Sequence, residues 1–316
     1  MAASAGRREA DPGAPPSLIL YNGATGGLGR HFAPAAVRHG LLVRAIRSRL
    51  EDRTALAAEL TLLPPTESVA FVQLAAMVSV PACEANPELA FRTNVEGATA
   101  SVETVIDWAA GRGMPSRIVY VSSGHVYAPP FNRRPLGEGA ALAPRSAYAR
   151  TKLAAEHEIA GIANRSGVPL MIARVFGLVA PGQPAHYVLP ALIDRARTGR
   201  LEAIPGLDNV RDYLDARDVC DDLLLLATAA RPRSPQVVNV CSGVPVTIRE
   251  LLRVVLTAID PEHASDEALR ATSAPGRPDD IRWLVGDPRR FIRLTGSLPQ
   301  RIPLLRTIVD ALEYLE

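Results

Sequence analysis

The chain has 316 residues and a formal net charge of +2, with 47% hydrophobic and 22% charged residues. This balance is typical of a globular protein, and the length suits one large domain or two. The near-zero charge excludes the basic surface of a nucleic-acid-binding protein, and the apolar runs are too short to span a membrane. Three distant cysteines, Cys83, Cys220 and Cys241, predict reduced thiols in a cytoplasmic protein without a disulfide framework or a metal site.

Lysine is almost absent from the basic residues of this chain. Of the 35 lysine and arginine residues, 34 are arginine, and the only lysine is Lys152. The two side chains are not chemically interchangeable, because an ammonium is a compact, hydrated point charge and a guanidinium is a planar fork. Lys152 is therefore a candidate for a role that arginine cannot fill.

The predicted elements alternate between short apolar strands and helices. Residues 1–16 have no periodicity and are predicted to be a disordered leader. Strands are predicted at 17–22, 41–46, 69–74, 117–122 and 168–175, and helices at 31–39, 51–60, 89–110 and 147–164. This order predicts an α/β fold of the Rossmann type, in which a doubly wound parallel sheet forms a first domain over residues 17–176.

The remaining residues, 177–316, are punctuated by proline and glycine. Short helices are predicted at 188–198, 219–230 and 248–258, and a short strand at 237–240. These residues are expected to form mainly a smaller C-terminal lobe that binds the substrate, with some segments returning to the sheet.

A glycine-rich turn separates the first predicted strand from the first helix. Gly23, Gly26 and Gly29 allow a tight turn and let the backbone approach a pyrophosphate at the helix N-terminus. The turn therefore predicts a dinucleotide-binding domain, although a tight turn without a ligand is the alternative. The expected cofactor-binding residues here are Gly23, Thr25, Gly26, Gly27, Leu28 and Gly29.

The end of the second predicted strand bears on the choice of cofactor. NAD-binding folds usually place an acid about 20 residues after the glycine turn, where it holds the ribose 2′-hydroxyl. Arg47 stands there instead, and no acid occurs until Glu51. A guanidinium can hold a 2′-phosphate with two hydrogen bonds, so the sequence favours NADP and leaves NAD possible. The alternative is that Arg47 is an ordinary surface arginine.

A tyrosine and the single lysine form the candidate catalytic pair. Tyr148 and Lys152 are four residues apart on a predicted helix and therefore share a face. A nearby ammonium favours tyrosinate, so Lys152 is expected to lower the pKa of Tyr148 and to hydrogen-bond the cofactor ribose. Ser122 or Ser123, at the carboxyl end of a strand, can hydrogen-bond a substrate oxygen.

Together these segments resemble the extended short-chain dehydrogenases/reductases. The resemblance implies that Tyr148 is the acid/base, that Lys152 supports it, and that the serine 25 positions before the tyrosine, Ser123, orients the substrate. It also implies cofactor contacts by Leu74, Ala75, Ala76 and Asn94. The motifs that carry it are Gly23-x-x-Gly26-x-x-Gly29, Leu74–Ala76, Asn94–Gly97, Val121–Ser123 and Tyr148-x-x-x-Lys152.

The second lobe is similar to enzymes that act on nucleotide sugars, most closely to GDP-4-keto-6-deoxymannose reductases. The resemblance implies that Arg211 and Arg277 contact the diphosphate or the sugar, unless they are surface arginines. His125 and His186 are further substrate-binding candidates. Each is either a proton donor near the substrate or a packing residue. The segments concerned are 211–219, 239–243, 246–250, 276–280 and 286–289.

The sequence also departs from these relatives at three points. Gly177 stands where relatives often carry an asparagine that holds the diphosphate, and the segment between Arg49 and Val69 lacks the aspartate that contacts adenine. Gly124 and His125 replace the Asp-Glu pair of the sugar dehydratases. Without a carboxylic acid to protonate a leaving hydroxyl, dehydration is not expected.

The expected function is the NADP-dependent reduction of a nucleotide-linked keto-sugar of the 4-keto-6-deoxyhexose type. Two alternatives stay open: an epimerase with tightly bound NAD(P), and an NADP-binding protein without turnover. By resemblance, the helix around residues 94–110 and the helix that carries Tyr148 are expected to pair across a homodimer.

Overall fold

The structure is a computed structural model that describes residues 15–185, 187–229, 235–259, 273–274, 280–297 and 301–314. Two predicted substrate residues, His186 and Arg277, and most of the predicted leader lie outside these ranges. Within them, no helix combines the length and the apolar character that crossing a membrane requires.

The strands of the described chain form one large sheet and three small ones. Their bounds are β1 Leu18–Tyr21, β2 Val43–Ala45, β3 Val69–Gln73, β4 Ser116–Ser123, β5 Leu170–Val175, β6 Gly177–Val179, β7 Ile204–Pro205, β8 Val210–Arg211, β9 Tyr213–Asp215, β10 Gln236–Val240, β11 Val246–Thr247, β12 Ser273–Ala274 and β13 Trp283–Leu284.

The large sheet has the strand order β2-β1-β3-β4-β5-β10, and every neighbouring pair is parallel. The predicted Rossmann-type α/β class is confirmed. The order reverses at β1, whose neighbours β2 and β3 both follow it in the sequence. Open α/β sheets bind ligands in the crevice outside the carboxyl ends of their strands, at such a reversal. The predicted glycine turn begins at this end of β1.

The helices cover both faces of the sheet. Their bounds are α1 Gly29–Arg38, α2 Arg53–Thr61, α3 Val80–Ala85, α4 Pro87–Phe91, α5 Ala98–Gly111, α6 Ala147–Ser166, α7 Val188–Thr198, α8 Ala216–Thr228, α9 Ile248–Ile259, α10 Arg289–Thr295 and α11 Leu304–Glu313. One core lies under α1 and α8, and a second lies under α2, α5 and α6. Because both faces are covered, the four residues of β1 are all buried.

The long helix predicted at 89–110 is interrupted in the structure. A π-helical segment, Arg92–Gly97, separates α4 from α5. Such segments are rare and often lie at functional sites, and a purely apolar periodicity does not reveal them. Asn94 lies in this segment and forms hydrogen bonds with the loop that follows β3, as described below.

A third core lies among α7, α9 and α11, away from the large sheet. Two segments beyond residue 176 nevertheless belong to the sheet region, because β10 pairs with β5 and α8 packs against α1. The division of the chain at residue 176 stays a prediction.

Candidate active site

The glycine turn after β1 has a shape that only glycine permits. Gly23 has a positive φ of 70°, and its carbonyl oxygen accepts a hydrogen bond from the N–H of Gly26 at 2.9 Å. A Cβ at Gly29 would lie 1.9 Å from that same oxygen. Helix α1 starts at Gly29 with no side-chain cap and no acid in its first turn. Its positive end is therefore uncompensated at the crevice, which fits the pyrophosphate of a dinucleotide.

The loop after β3 is held against this turn by Asn22. The Asn22 Oδ1 atom accepts hydrogen bonds from the N–H groups of Leu74 at 2.9 Å and Ala75 at 2.8 Å. A Cβ on Gly23 would approach the Ala75 backbone to 3.0 Å. The structure thus brings the predicted glycine turn and the predicted Leu74–Ala76 segment to one edge. Sequence reasoning missed Asn22, although its position between an apolar strand and a glycine is a usable signal.

Asn94 supports that loop from behind. Its side chain is only 1% exposed. Its Oδ1 accepts the Met77 N–H at 2.7 Å, and its Nδ2 donates to the Met77 carbonyl at 2.9 Å and to Thr151 Oγ1 at 3.0 Å. Because protein groups engage both ends of the amide, Asn94 links the loop to α6, and its predicted contact with the cofactor stays a prediction.

Ser123 and Tyr148 meet at the carboxyl edge of the sheet. Ser123 is the last residue of β4, and Tyr148 is the second residue of α6, whose N-terminus is capped by Ser146. The Ser123 hydroxyl lies close enough to the phenol to lower its pKa as a hydrogen-bonding neighbour. Ser122 points the other way and donates to the buried carboxylate of Glu156. Of the two serines that the sequence left open, Ser123 is the one in contact with the tyrosine.

The pKa of Tyr148 is raised and not lowered, so the expected net shift of the tyrosine is wrong. Burial is the largest influence and raises the pKa of Tyr148 to about 12, while the hydrogen bond with Ser123 acts in the opposite sense. The Lys152 ammonium donates to the Val121 carbonyl at 2.9 Å and lies 5.2 Å from the centre of the Tyr120 ring. Removal of the phenol from water therefore outweighs any nearby positive charge, and Tyr148 keeps its proton at neutral pH.

Lys152 itself is almost completely enclosed, with 3% of its surface exposed. Burial lowers its pKa to about 8, and the negative charge of Glu156 acts against this change. An ammonium carries three N–H donors, and Val121 takes one of them. The lysine is therefore charged at neutral pH and keeps donors for a neighbouring ligand.

A buried ion pair connects β5 to α6, the helix that carries Tyr148 and Lys152. Arg174 on β5 donates to both carboxylate oxygens of Glu156, at 2.9 and 2.6 Å. The guanidinium also lies 4.8 Å from the centre of the Tyr127 ring. Glu156 is one turn beyond Lys152 on α6, so this pair ties the helix of the tyrosine and lysine to the sheet. Sequence reasoning missed it, although the four-residue spacing from Lys152 to Glu156 was a signal.

His125 lies beside the tyrosine, at the start of the short turn after β4. The centres of the His125 and Tyr148 rings are 6.3 Å apart, with the rings edge to face. Burial, with a smaller contribution from Arg211, lowers the pKa of His125 to about 4. The imidazole is therefore neutral at neutral pH, which disfavours the imidazolium form of a second proton donor.

Arg211 is the predicted substrate arginine that the structure describes. Its guanidinium pairs with Asp280 at 2.9 Å and donates to the backbone carbonyls of Val210 and Ile281. The pair fixes the direction of the side chain near His125. The other two predicted substrate residues, His186 and Arg277, lie outside the described residues.

The absence of a side chain at position 177 has a packing reason. A Cβ on Gly177 would lie 2.7 Å from the Asp212 carbonyl oxygen and 3.1 Å from the Tyr213 ring. Gly177 pairs with Tyr213 in the small β6–β9 sheet. An asparagine therefore does not fit at this position without movement of the opposite strand.

The other end of the crevice lies beyond β2 and contains the predicted cofactor residue Arg47. A cavity of about 460 Å³ opens there, lined by Tyr21, Ala33, Val43, Arg44, Ala45, Arg47 and Glu59. The Glu59 carboxylate reaches this cavity from α2 and accepts hydrogen bonds from the backbone of Arg47 and Ser48. Sequence reasoning missed Glu59, because the acid that holds the ribose is expected at the end of the second strand and Glu59 lies on the following helix.

The side chains that commonly bind metal ions lie apart from one another in the described part of the chain. No group of three or more His, Cys, Asp or Glu side chains gathers there as a metal ion requires. Cys83, Cys220 and Cys241 are all buried free thiols. Cys83 packs near Tyr148, where its Sγ donates to the Met77 carbonyl.

Comparison with known proteins identifies the family. Residues 19–241 match the NAD dependent epimerase/dehydratase family. GDP-6-deoxy-D-mannose reductase of Pseudomonas aeruginosa is 29% identical over 241 residues, which cover 73% of this chain and 75% of the relative. The dTDP-6-deoxy-L-talose 4-dehydrogenase (NAD(P)(+)) of Kitasatospora kifunensis is 27% identical over 310 residues, 92% of this chain and 93% of the relative. The structure of RMD from P. aeruginosa complexed with NADPH superposes with a TM-score of 0.76 at 24% identity, covering 94% of this chain and 98% of that one.

The family match covers most of the chain, so the protein belongs to the NAD dependent epimerase/dehydratase family, the extended short-chain dehydrogenases/reductases. It is an NAD(P)-dependent oxidoreductase of this type, and the resemblance inferred from the motifs is confirmed. The glycine cradle and the uncompensated end of α1 fit the dinucleotide that such an enzyme uses.

Proposed function

We propose that the protein uses NADPH to reduce the carbonyl group of a nucleotide-linked 4-keto-6-deoxyhexose. The observation that carries the proposal is the proximity of Ser123 and Tyr148 at the carboxyl edge of the sheet, where burial raises the pKa of the phenol. The charged Lys152 lies one helical turn away. The names of the two relatives, a deoxymannose reductase and a deoxytalose dehydrogenase, support this substrate class.

In the proposed reaction, one set of residues binds the dinucleotide and another transfers the proton. The glycine turn and α1 would hold the pyrophosphate, with Leu74–Ala76 beside it. When bound, the dinucleotide supplies a hydride to the carbonyl carbon. Tyr148 donates its phenolic proton to the carbonyl oxygen, which becomes a hydroxyl, and Ser123 donates a hydrogen bond that orients that oxygen. Lys152 stabilises the tyrosinate that is left.

Substrate binding is assigned to the side of the site formed by His125 and Arg211. The Arg211 guanidinium is held in place by Asp280 and its side chain is only 13% exposed, so it is preorganised for a phosphate oxygen. Arg277 and His186 complete the proposed set as residues outside the described ranges. His125 contributes a neutral imidazole beside the sugar.

The proposal also includes a homodimer formed through α5 and α6 and a cytoplasmic location. The packing of α5 beside α6 brings two long helices to one face of the sheet, and the three buried free thiols suit a reducing compartment. Light scattering of the purified protein tests the dimer, since a monomeric mass would contradict it.

The function is tested with a panel of nucleotide-linked keto-sugars and product analysis. We expect one NADPH to be oxidised for each sugar reduced. Turnover that proceeds with a substoichiometric dinucleotide and yields an isomer would show an epimerase instead. If NADPH binds but no member of the panel reacts, the result favours the alternative hypothesis, a dinucleotide-binding protein without turnover.

A further inference from the structure

The Glu59 carboxylate lies at the end of β2, although Glu59 itself belongs to the following helix. Glu59 belongs to α2, yet its two oxygens accept the Arg47 N–H at 3.0 and 3.1 Å. One of these oxygens also accepts the Ser48 N–H at 3.0 Å. Two consecutive backbone donors just beyond β2 therefore bind an anion, and in this structure the anion is a side chain of the protein itself.

The surroundings of this carboxylate are positively charged. Arg44 and Arg47 line the same cavity of about 460 Å³, and both are exposed. Among the described residues, no hydrogen bond or ion pair of the protein engages either guanidinium; Glu59 is held by backbone N–H groups instead. The cavity therefore offers free cations, two backbone donors and a carboxylate that competes for those donors.

We propose that Glu59 sets the preference between NAD and NADP, a proposal that rests on the dinucleotide use proposed above. With NAD, the carboxylate stays in place and accepts a hydrogen bond from the 2′-hydroxyl of the adenosine ribose. With NADP, the carboxylate leaves, and the 2′-phosphate takes over the N–H groups of Arg47 and Ser48 and pairs with Arg44 and Arg47. Glu59 is thus the acid that the second strand lacks, supplied by the next helix.

The physical argument is a competition between two anions for one set of donors. A phosphate monoester carries about −1.5 to −2 charges and cannot share donors with a carboxylate without repulsion. Glu59 is half-buried and borne on a helix at the surface, so its side chain can turn into water at the cost of its hydrogen bonds. Exchange of this kind gives a graded preference, and both dinucleotides are accepted.

The experiment measures dinucleotide binding directly, without turnover. Dissociation constants for NAD⁺, NADP⁺, 5′-AMP and 2′,5′-ADP are determined by titration calorimetry for the wild type, Glu59→Gln and Glu59→Ala. Glu51→Gln, an exposed acid outside the cavity, is the matched control. Thermal melting shows whether each variant is folded, and the two substitutions at position 59 differ in size so that one unfolded variant does not end the test.

We expect both substitutions at Glu59 to shift the ratio of the NAD⁺ to the NADP⁺ dissociation constant about tenfold in favour of NADP⁺, the effect of one charged hydrogen bond. The fragments 5′-AMP and 2′,5′-ADP should follow the same order, and Glu51→Gln should leave the ratio unchanged. A ratio that stays constant in folded Glu59 variants overturns the assignment and leaves the proposed function intact. If the wild type binds neither dinucleotide, both the assignment of Glu59 and the proposed function are wrong.

Discussion

The two ends of the crevice are built on opposite physical principles. At the end with Tyr148 and Lys152, the lysine is enclosed, the tyrosine is partly buried, and burial dominates both pKa values. At the end with Arg44 and Arg47, the charges are exposed and the acid among them is held only by backbone donors. The difference indicates that proton transfer needs protonation states fixed by a dry environment, whereas recognition of a ligand phosphate uses charges that water screens and side chains that exchange partners.

Removal of the phenolic hydroxyl tests the enclosed end most directly. Tyr148→Phe should lower kcat by about 10³- to 10⁴-fold, because the only assigned proton donor is lost. The dissociation constant for NADPH should stay within about twofold, since the ring and its packing remain. Steady-state rates and calorimetry provide the two measurements. A variant with near-normal kcat would show that another group donates the proton.

The buried ion pair beside the enclosed end should contribute far more to the free energy of unfolding than an exposed ion pair does. Arg174→Met leaves the Glu156 carboxylate buried without its partner and should cost about 3–5 kcal/mol in the free energy of unfolding. Arg200→Met is the matched control, because its pair with Asp194 is about 60% exposed on both sides. The control should cost less than about 1 kcal/mol. Urea unfolding compares them, and equal effects would contradict the contrast between buried and exposed charges.

Replacement of the lysine by the residue that is abundant everywhere else tests why it is there. Lys152→Arg should lower kcat about 100-fold, because the larger planar guanidinium does not fit between the Val121 carbonyl and the Tyr120 ring without displacing them. The same overpacking should cost about 1–3 kcal/mol of stability, so far-ultraviolet circular dichroism should still show a folded chain. Activity close to that of the wild type would mean that any cation suffices.

Lys152 should affect the pH dependence of activity and the pH dependence of stability in opposite directions above about pH 8. The ammonium is charged below about pH 8, so kcat/KM, which reports the free enzyme, should be level there and fall about tenfold per pH unit above it. In the unfolded chain the lysine keeps its proton up to its ordinary pKa of 10.5. Between these two values the unfolded state binds more protons, so the contribution of Lys152 to stability rises with pH. Lys152→Met should abolish both trends, and an unchanged alkaline limb in the stability curve would refute the assignment.

The smallest effect is expected at the exposed end. Arg47→Ala should weaken NADP⁺ binding about tenfold and NAD⁺ binding less than twofold, because one screened guanidinium–phosphate contact is lost. The loss should shrink as salt is added, which a titration series in sodium chloride measures. A loss that is equal for both dinucleotides would place Arg47 away from the 2′ position.

The sequence predicts the parts of this molecule that depend on local order along the chain. The strands, the glycine turn and the pairing of Tyr148 with Lys152 all follow from periodicity and spacing, since each is a property of neighbouring residues. The π-helical segment at Arg92–Gly97 does not follow, because one extra residue in a helix leaves the apolar pattern almost unchanged. The position of Glu59 does not follow either, because a contact between a helix and the preceding strand depends on how the helix packs.

The pKa of Tyr148 shows a different limit. Spacing correctly places Lys152 one turn away, but the sign of the net effect depends on how much water the fold removes from the phenol. Desolvation comes from the whole surrounding structure, and a smaller electrostatic contribution that also raises the pKa comes from Tyr187, far along the chain. No local motif contains that information.

The scarcity of lysine has a practical consequence for following the protein in solution. A proteinase that cleaves after lysine has one target bond in these 316 residues, between Lys152 and Leu153. That bond lies inside α6, beside a side chain that is almost fully enclosed. Cleavage therefore requires α6 to open, and its rate measures the free energy of that opening. A single pair of fragments on a gel would report, without any label, how strongly each dinucleotide stabilises α6 against opening.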